Sequence, residues 1–193
     1  MDTSIEIIDY DPKYEKWYVF IENRGFAGFD SPWNKSSPVE AYTGDILKTY
    51  LARMENMIVG LASLTEWLSF RPQDNNTEEG AVELNSIGVL PEYRGRGVGS
   101  KLLEAVKQWS RDQGYRRIYA FVIGDVRWDL HRFYRRAGYE LLEQWLELED
   151  TQGQTIDVRI EDYWRNSDYL KHKIIDRGYI YCLDLNHNLL PVS

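Results

Sequence analysis

A glycine-rich segment between a predicted strand and a predicted helix constrains the fold of this chain more than any other feature. The strand is expected over residues 81–89, and Pro91 follows it as a stop signal. The helix is expected over residues 98–113, where apolar side chains share one helical face and Gly114 follows as a C-terminal cap. Residues 94–99 join the two elements. A strand, a glycine turn and an amphipathic helix in this order predict a mixed α/β fold.

Apolar runs and helical periodicity predict the remaining elements. Further strands are expected at residues 5–8, 48–54, 57–67, 117–123, 139–148 and 179–185. Further helices are expected at residues 13–21, 129–137 and 162–176. Glu55 and Asn56 mark a hairpin turn. Residues 23–38 are rich in turn-forming residues and are expected to form a long loop, with a short helix or strand over residues 39–47.

Nothing in the sequence divides the chain into separate domains. It contains no internal repeat, low-complexity segment or linker, so we expect one domain over residues 1–193 with its core at about residues 5–148. Residues 151–193 are expected to add a helical insertion and a final strand. This insertion either covers a substrate cleft or mediates self-association as a homodimer.

Composition and charge exclude several classes of function. The net charge of −8 disfavours nucleic acid and weakly favours cationic partners. No apolar run is long enough to span a bilayer, so no membrane association is expected. Cys182 is the only cysteine, which excludes an intrachain disulfide and suits a cytoplasmic location. His131, His172 and His187 lack metal-ligand spacing, so no metal site is expected.

The joining segment has the composition of an anion site. Backbone N–H groups at a helix N-terminus lack intrahelical partners and carry a partial positive charge. Glycines let the backbone approach a phosphate closely, and arginines add fork-shaped donors. The residues expected to contact a phosphate are Arg94, Gly95, Arg96, Gly97, Val98 and Gly99.

Two other nucleotide-binding motifs do not match this segment. A Walker A loop requires lysine followed by serine or threonine, and Gly99-Ser100-Lys101 has the wrong order. A dinucleotide fingerprint requires G-x-G-x-x-G and an acidic residue about 20 positions later. The glycine spacing differs here, and Arg116-Arg117 occupies the region where the acidic residue is required.

Arg94-Gly95-Arg96-Gly97-Val98-Gly99 resembles motif A of the GNAT superfamily of N-acetyltransferases, written R/Q-x-x-G-x-G/A. Phe133-Tyr134-Arg135-Arg136-Ala137-Gly138-Tyr139 resembles the end of a downstream helix of that family. The order of elements extends the resemblance to residues 5–148. It implies a single domain with a twisted, mostly antiparallel central sheet, a splayed pair of parallel strands and helices on both faces.

The resemblance also implies a cosubstrate and a reaction. Acetyl-CoA is expected between the strands at residues 81–89 and 117–123, with its pantetheine arm paired to backbone groups of Ile87 and Val89. The acetyl group is expected to pass to a primary amine by direct attack. The family often has an asparagine that contacts the pantetheine arm, with small residues after it. This chain has Arg127, Leu130 and His131 at those positions, so the contact of the asparagine is not expected here.

Two side chains are candidates for catalysis. Tyr134 occupies the position of a tyrosine that protonates the departing thiolate in many members of the family, and simple packing is the alternative reading. Glu83 is the candidate general base, directly or through water. The alternative is that Glu83 is an ordinary glutamate on a strand, without a role in catalysis. Strand alternation places Glu83, Asn85 and Ile87 on one face.

The acceptor is expected to be a small cationic amine, because the chain is acidic and rich in aromatic residues. A protein N-terminus or lysine is a second possible acceptor. The alternative from another class is an inactive acyl-CoA-binding regulatory or interaction module. The presence of both Glu83 and Tyr134 favours the enzyme.

Overall fold

A computed structural model describes residues 4–25, 46–66, 79–123 and 128–186. Most of the element expected at residues 39–47 and most of the loop expected at residues 23–38 lie outside this range. Contacts within the chain define two compact units. The first comprises residues 1–118 and 185–193, and the second comprises residues 119–184.

In the described part of the first unit, four strands pair in chain order, each antiparallel to the next. They are β1 (Glu6–Asp9), β2 (Ile46–Met54), β3 (Met57–Glu66) and β4 (Ala81–Val89). Glu55 and Asn56 join β2 to β3 with φ angles of 48° and 67°. Two consecutive residues with positive φ form the tight hairpin turn that matches strand twist, which confirms the expected hairpin.

Two helices cover opposite faces of this sheet. Helix α1 (Glu15–Gly25) follows a 3-10 turn, and helix α2 (Val98–Asp112) follows β4. A Cβ atom placed on Gly88 would lie 3.4 Å from Ile21 of α1, whereas one placed on Gly60 would lie 3.0 Å from Val98 of α2. Gly60 is the partner of Val89, the next residue after Gly88, so the two glycines face opposite sides. The α1 face buries Tyr18, Ile21, Leu51, Ile58, Leu61 and Leu90.

Strand β5 (Arg117–Ile123) begins beside the start of β4. The backbone N–H groups of Arg116 and Arg117 donate to the Gly80 carbonyl over 2.7 and 3.3 Å. The Arg116 guanidinium donates to the Glu79 carbonyl over 2.7 Å. The two strands therefore start at the same end of the sheet, as the expected parallel pair requires.

In the residues of the second unit that the structure describes, the rest of β5 is combined with three strands and two α-helices. Its strands follow the order β5, β8, β6, β7, and β6 pairs antiparallel with both β7 and β8. The elements are α3 (Trp128–Arg136), β6 (Glu140–Glu149), β7 (Thr155–Arg159), α4 (Ile160–Arg165) and β8 (Lys173–Asp184). The expected mixed fold with a mostly antiparallel sheet is thus confirmed.

The helix expected over residues 162–176 is wrong. Helix α4 ends at Arg165, and the Asn166 side chain then accepts a hydrogen bond from the Asp168 backbone N–H over 3.0 Å. Such local bonds compete with helix continuation. Strand β8 begins at Lys173 because it pairs with β6. The segment expected as a helical insertion therefore contains β7, the short helix α4 and the start of β8, and the two strands flank β6. The single domain over residues 1–193 stays a prediction.

Candidate functional site

The loop between β4 and α2 needs glycine because of its backbone conformation. Gly95 and Gly97 have φ angles of +74° and +85°, in the left-handed region that other residues rarely adopt. Among the described residues, a Cβ on Gly95 would meet no atom within 4 Å, and one on Gly97 would meet only Ile5 at 4.0 Å. The glycines therefore leave open space above the loop. That space is where an anion would approach the backbone.

The N-terminus of α2 presents backbone donors to this space. Gly97 is the N-cap and supplies no side-chain hydrogen bond. The first helical bond runs from the Lys101 N–H to the Gly97 carbonyl over 3.0 Å. The N–H groups of Val98, Gly99 and Ser100 therefore have no acceptor within the helix. The Val98 side chain is buried and fixes the first turn against the sheet.

Side chains anchor the loop from the other side. The Arg94 Nε atom donates to the Val89 carbonyl over 3.1 Å, which ties the loop to the end of β4. Arg96 lies over the Tyr93 ring, 5.2 Å from its centroid. Glu92 pairs with Arg24 of α1 over 2.7 Å. Six of the predicted cosubstrate contacts thus lie in one anchored loop, with donors of the kind that fit a pyrophosphate.

A β-bulge at Asn85 changes the face on which Glu83 lies. Ser63 pairs with Ser86 and Leu64 pairs with Leu84, so Asn85 has no partner on β3. Glu83 pairs with Thr65, whereas Ile87 pairs with Ala62. Paired residues share a face, and residues 62 and 65 lie on opposite faces of β3.

The expectation that Glu83 and Ile87 share a face is therefore wrong, because the bulge inserts one residue between them. Glu83 lies on the α1 face, while Ile87 and Val89 lie on the α2 face. All three lie on β4. Neither the bulge nor this exchange of faces has a signal in the sequence. The backbone contacts predicted for Ile87 and Val89 stay a prediction.

Glu83 is a half-buried carboxylate with a perturbed pKa. Burial raises the pKa of Glu83 to about 7. Desolvation disfavours the charged form of a carboxylic acid, which is why its pKa rises. The neighbouring Asn85 side chain has a buried amide nitrogen with no hydrogen-bond partner in the described part of the chain. A group that titrates near neutral pH has the properties of a general base.

Tyr134 is buried in the second unit, where α3 meets β8. Its ring stacks on the Tyr181 ring, with centroids 4.8 Å apart and an interplanar angle of 18°. The Tyr139 ring meets it edge-on at 5.4 Å. Burial, with a smaller contribution from Tyr181, raises the pKa of Tyr134 above its ordinary value, so the phenol keeps its proton. Its role as the proton donor to a departing sulfur stays a prediction.

The C-terminus of α3 fixes Tyr134 through its backbone. Gly138 has a φ of +89°, and its N–H donates to the Arg135 carbonyl over 3.0 Å. The Tyr139 N–H donates to the Tyr134 carbonyl over 3.0 Å. These two bonds define a Schellman motif, in which the side chains of the two tyrosines pack together. The Tyr-to-Gly pattern in the sequence therefore has a direct structural cause.

The contacts of Tyr181 and Tyr179 with α3 were not identified from the sequence. The Tyr181 hydroxyl hydrogen-bonds to His131 Nδ1, and the His131 ring meets Tyr179 edge-on at 4.9 Å. Alternation of tyrosines along β8 is the only sequence signal for them. They form an aromatic support behind the candidate proton donor.

Some classes of site have no support in the part of the chain that is described. Among the described residues, no group of three or more histidine, cysteine, aspartate or glutamate side chains could hold a metal ion. None of the described helices is long and apolar enough to cross a bilayer.

The mixed sheet and the strand–glycine loop–helix unit, with N–H groups at the start of α2 that have no acceptor within the helix, define an α/β protein of a recognisable class. A sequence profile described as the Acetyltransferase (GNAT) family matches residues 13–139. The chain belongs to this family. The predicted class is confirmed, as is acetyl-CoA as the acetyl donor that the family uses.

Solved structures of similar fold cover most of the chain. The ribosomal-protein-S18-alanine N-acetyltransferase from Escherichia coli is 14% identical, with a TM-score of 0.63 over 97% of this chain and 99% of that one. An N-acetyltransferase from Staphylococcus aureus Mu50 is 15% identical, with a TM-score of 0.64 over 95% and 99%. A putative streptothricin acetyltransferase from Bacillus anthracis, in complex with acetyl coenzyme A, is 18% identical, with a TM-score of 0.50 over 76% and 66%.

A curated relative matches part of the sequence. An uncharacterized N-acetyltransferase of Methanocaldococcus jannaschii is 29% identical over 85 residues, which is 42% of this chain. The match spans 35% of the length of that relative, or about a third of it. These likenesses support the fold and the family, and they leave the acceptor to be inferred from the site.

Proposed function

We propose that this protein is an N-acetyltransferase that moves an acetyl group from acetyl-CoA to a primary amine. The observation that carries the proposal is the left-handed glycine loop at Gly95 and Gly97, followed by the N-terminus of α2, whose first N–H groups have no acceptor within the helix. Acetyl-CoA supplies the acetyl group as a thioester, and transfer forms a carbon–nitrogen bond as the carbon–sulfur bond breaks. The chain's own residues bind the donor and move the protons.

The loop holds the pyrophosphate mainly through backbone N–H groups. Val98, Gly99 and Ser100 direct donors into the open space, and the helix dipole adds a favourable field. Arg96 lies at the edge of the loop and adds charge. Arg94 acts first as a structural residue, because its Nε atom already binds the Val89 carbonyl. A contact of the Arg94 guanidinium with phosphate is our secondary proposal.

Glu83 accepts the proton that the amine loses. A pKa of about 7 lets the carboxylate be charged at neutral pH while remaining basic enough to take a proton. Tyr134 gives its proton to the departing sulfur, and the buried phenol is protonated before the reaction. One proton is taken and one is given, so the residues return to their starting charges after proton exchange with solvent.

The finer parts of the proposal concern the acceptor, the cellular location and the domain organisation. We propose a small cationic amine as acceptor, supported by the net charge of −8. We also propose a cytoplasmic location, supported by the lone Cys182, and one domain that includes both compact units. A homodimer stays a prediction.

Binding of acetyl-CoA tests the proposal most directly. Calorimetric titration and thermal unfolding with acetyl-CoA, free CoA and ADP compare the whole donor with its parts. Ligand at about 100 times its dissociation constant should stabilise the fold by about 2.7 kcal/mol. Gly97→Asp should abolish binding because it places a negative charge at the anion site. Gly97→Asn has nearly the same shape without the charge and should bind more strongly than Gly97→Asp.

Gly114 offers a matched control for these substitutions. It lies at the opposite end of α2 with a φ of +82°, and a Cβ placed on it would meet no atom of the described residues within 4 Å. Gly114→Asp should change stability as Gly97→Asp does but leave acetyl-CoA binding intact. Absence of acetyl-CoA binding in the folded wild-type protein would contradict the proposal.

A further inference from the structure

The α1 face of the first unit carries a buried row of hydroxyl groups next to Glu83. Ser63 pairs with Thr49 of β2 on one side and with Ser86 of β4 on the other, so three hydroxyl-bearing residues lie side by side across the strands. Their exposed fractions are 0% for Ser63, 5% for Ser86 and 7% for Thr49. The row faces α1, because Gly88, two residues after Ser86, faces that helix.

This row is one step from Glu83 along the strands. Thr65 pairs with Glu83 and is two residues from Ser63 on β3, so Glu83 and Ser63 are diagonal neighbours on one face. Residues in this relation are roughly 7–8 Å apart, a distance that a long side chain can bridge. Rotation about the side-chain bonds of Glu83 can therefore bring its carboxyl group to the serine hydroxyls.

Three buried polar atoms next to Glu83 have no hydrogen-bond partner in the described part of the chain. They are Oγ of Ser63, Oγ of Ser86 and Nδ2 of Asn85. Asn85 is the residue of the β-bulge and lies two residues after Glu83. A buried polar group without a partner is costly, so its presence in a folded protein requires an explanation. Each of these three groups is able to donate a hydrogen bond to a carboxylate.

The carboxyl group of Glu83 has no balancing cation among the described residues. Burial is the cause that raises its pKa, and no charged side chain of those residues adds to it. The acid that faces this side of the sheet from α1 is the buried Glu22. Three basic residues of neighbouring elements have other partners: Arg24 of α1 binds Glu92, Lys48 of β2 binds Asp9, and Arg116 binds the Glu79 carbonyl. Neutral donors are therefore what is available to stabilise the charged form.

We propose that Ser63 and Ser86 are positioning residues that hold the charged carboxylate of Glu83 by donating hydrogen bonds to it, with Asn85 as a third donor. The inference deepens the proposed function and rests on it for the role of Glu83 as general base. Hydrogen bonds to the charged form of an acid favour that form, so the donors act against burial. Bonds to an ionised acceptor are also stronger than bonds between neutral groups. The donors thus keep the carboxylate in place to take the proton of the amine.

Titration of Glu83 by NMR tests the inference without acetyl-CoA. The full chain carries ¹³C at its glutamate carboxyl groups, and the signal that is lost in Glu83→Gln belongs to Glu83. Ser63→Ala and Ser86→Ala should each raise the pKa of Glu83. The double variant should raise it by about one unit or more, equivalent to about 1.4 kcal/mol. Asn85→Ala should also raise it, because it removes the third donor.

Ser110→Ala is the matched control. Ser110 is fully buried and its hydroxyl also lacks a partner among the described residues, but it lies on α2, which covers the other face of the sheet. Its substitution should leave the pKa of Glu83 unchanged. Thr49→Val should do the same, because it removes a hydroxyl of the same row two strands away from Glu83. An unchanged pKa in the folded double variant, or an equal rise in Ser110→Ala, would overturn the inference.

Stability measurements separate positioning from packing. At a pH where Glu83 is neutral, the loss of two unpaired hydroxyls should leave the free energy of unfolding of the Ser63→Ala, Ser86→Ala double variant unchanged or raise it. At a pH above the pKa of Glu83, the double variant should be less stable than the wild type, because the charged carboxylate has lost its donors. Urea denaturation at the two pH values measures the difference. An equal loss of stability at both would assign the serines to packing and overturn the inference.

Activity measurements separate this inference from the proposed function. The pH at which kcat/KM rises should move upward by about one unit in the double variant, and the KM for acetyl-CoA should stay unchanged. Acetyl transfer that depends on Glu83, with a pKa that the serines do not alter, would overturn the inference and leave the function standing. A raised pKa in the double variant of a protein without acetyl transfer would support the three donors and contradict the proposed reaction.

Discussion

The ring of Tyr134 stacks on the ring of Tyr181, with centroids 4.8 Å apart and planes inclined by 18°. The Tyr181 hydroxyl is in turn hydrogen-bonded to His131, one turn before Tyr134 on α3. The candidate proton donor is therefore held between its own helix and β8. Aromatic pairs of this kind contribute about 0.5–1.5 kcal/mol beyond the area they bury.

Two substitutions of Tyr181 should separate the contribution of the ring stack from that of the hydrogen bond to His131. Tyr181→Phe keeps the stack and loses the hydrogen bond to His131, so it should lower the free energy of unfolding by about 0.5–1.5 kcal/mol. Tyr181→Ala also loses the buried ring and should cost about 3–5 kcal/mol. Urea denaturation measures both. Equal losses for the two variants would show that the stack contributes nothing.

Substitution of Tyr134 tests its role in catalysis. Tyr134→Phe keeps the ring and its stack but has no proton to donate, so kcat should fall by about a hundredfold or more. Acetyl-CoA binding should stay unchanged. Release of free CoA thiol measures the rate, and calorimetry measures binding. Tyr163→Phe removes a hydroxyl from another buried tyrosine of the same unit and should retain activity.

The activity should depend on pH through Glu83. Only the charged carboxylate accepts a proton, so kcat/KM should rise as the pH passes through about 7, the raised pKa of this group. Glu83→Gln should lower kcat/KM by about a hundredfold or more and abolish the rise. Glu66→Gln, at the end of the neighbouring strand, is the control. An unchanged pH profile in Glu83→Gln would assign the rise to another group.

Stability should depend on pH through the same carboxyl. The folded pKa of about 7 lies above the ordinary value of 4.5, so the folded state binds the proton more tightly than the unfolded chain. Protonated Glu83 is therefore tolerated at low pH, and stability is lost as the pH rises from about 4.5 through 7. Glu83→Gln has no charge to bury and should be more stable than the wild type at pH 8, by on the order of 1–3 kcal/mol. Urea denaturation at several pH values should show the difference disappear towards pH 5.

The local parts of the site were predictable because their signals are local. The glycine loop and α2 lie within a residue of their expected positions, since glycine at positive φ and an amphipathic period act over a few residues. The same holds for the cap at Gly138, which places Tyr134. The helix expected over residues 162–176 was wrong, because pairing of β8 with β6 overrides the local helical pattern.

The amino-acid sequence by itself determined the family and the glycine loop, and it pointed to the two candidate catalytic side chains. Tertiary structure alone decided which groups surround them. The bulge at Asn85 moves Glu83 to the face of α1, and burial there raises its pKa to about 7. The contact of Trp145 with Phe121 across Gly178 likewise joins three strands that are far apart in the chain. Register and burial depend on pairing between distant segments, and no local pattern of residues specifies them.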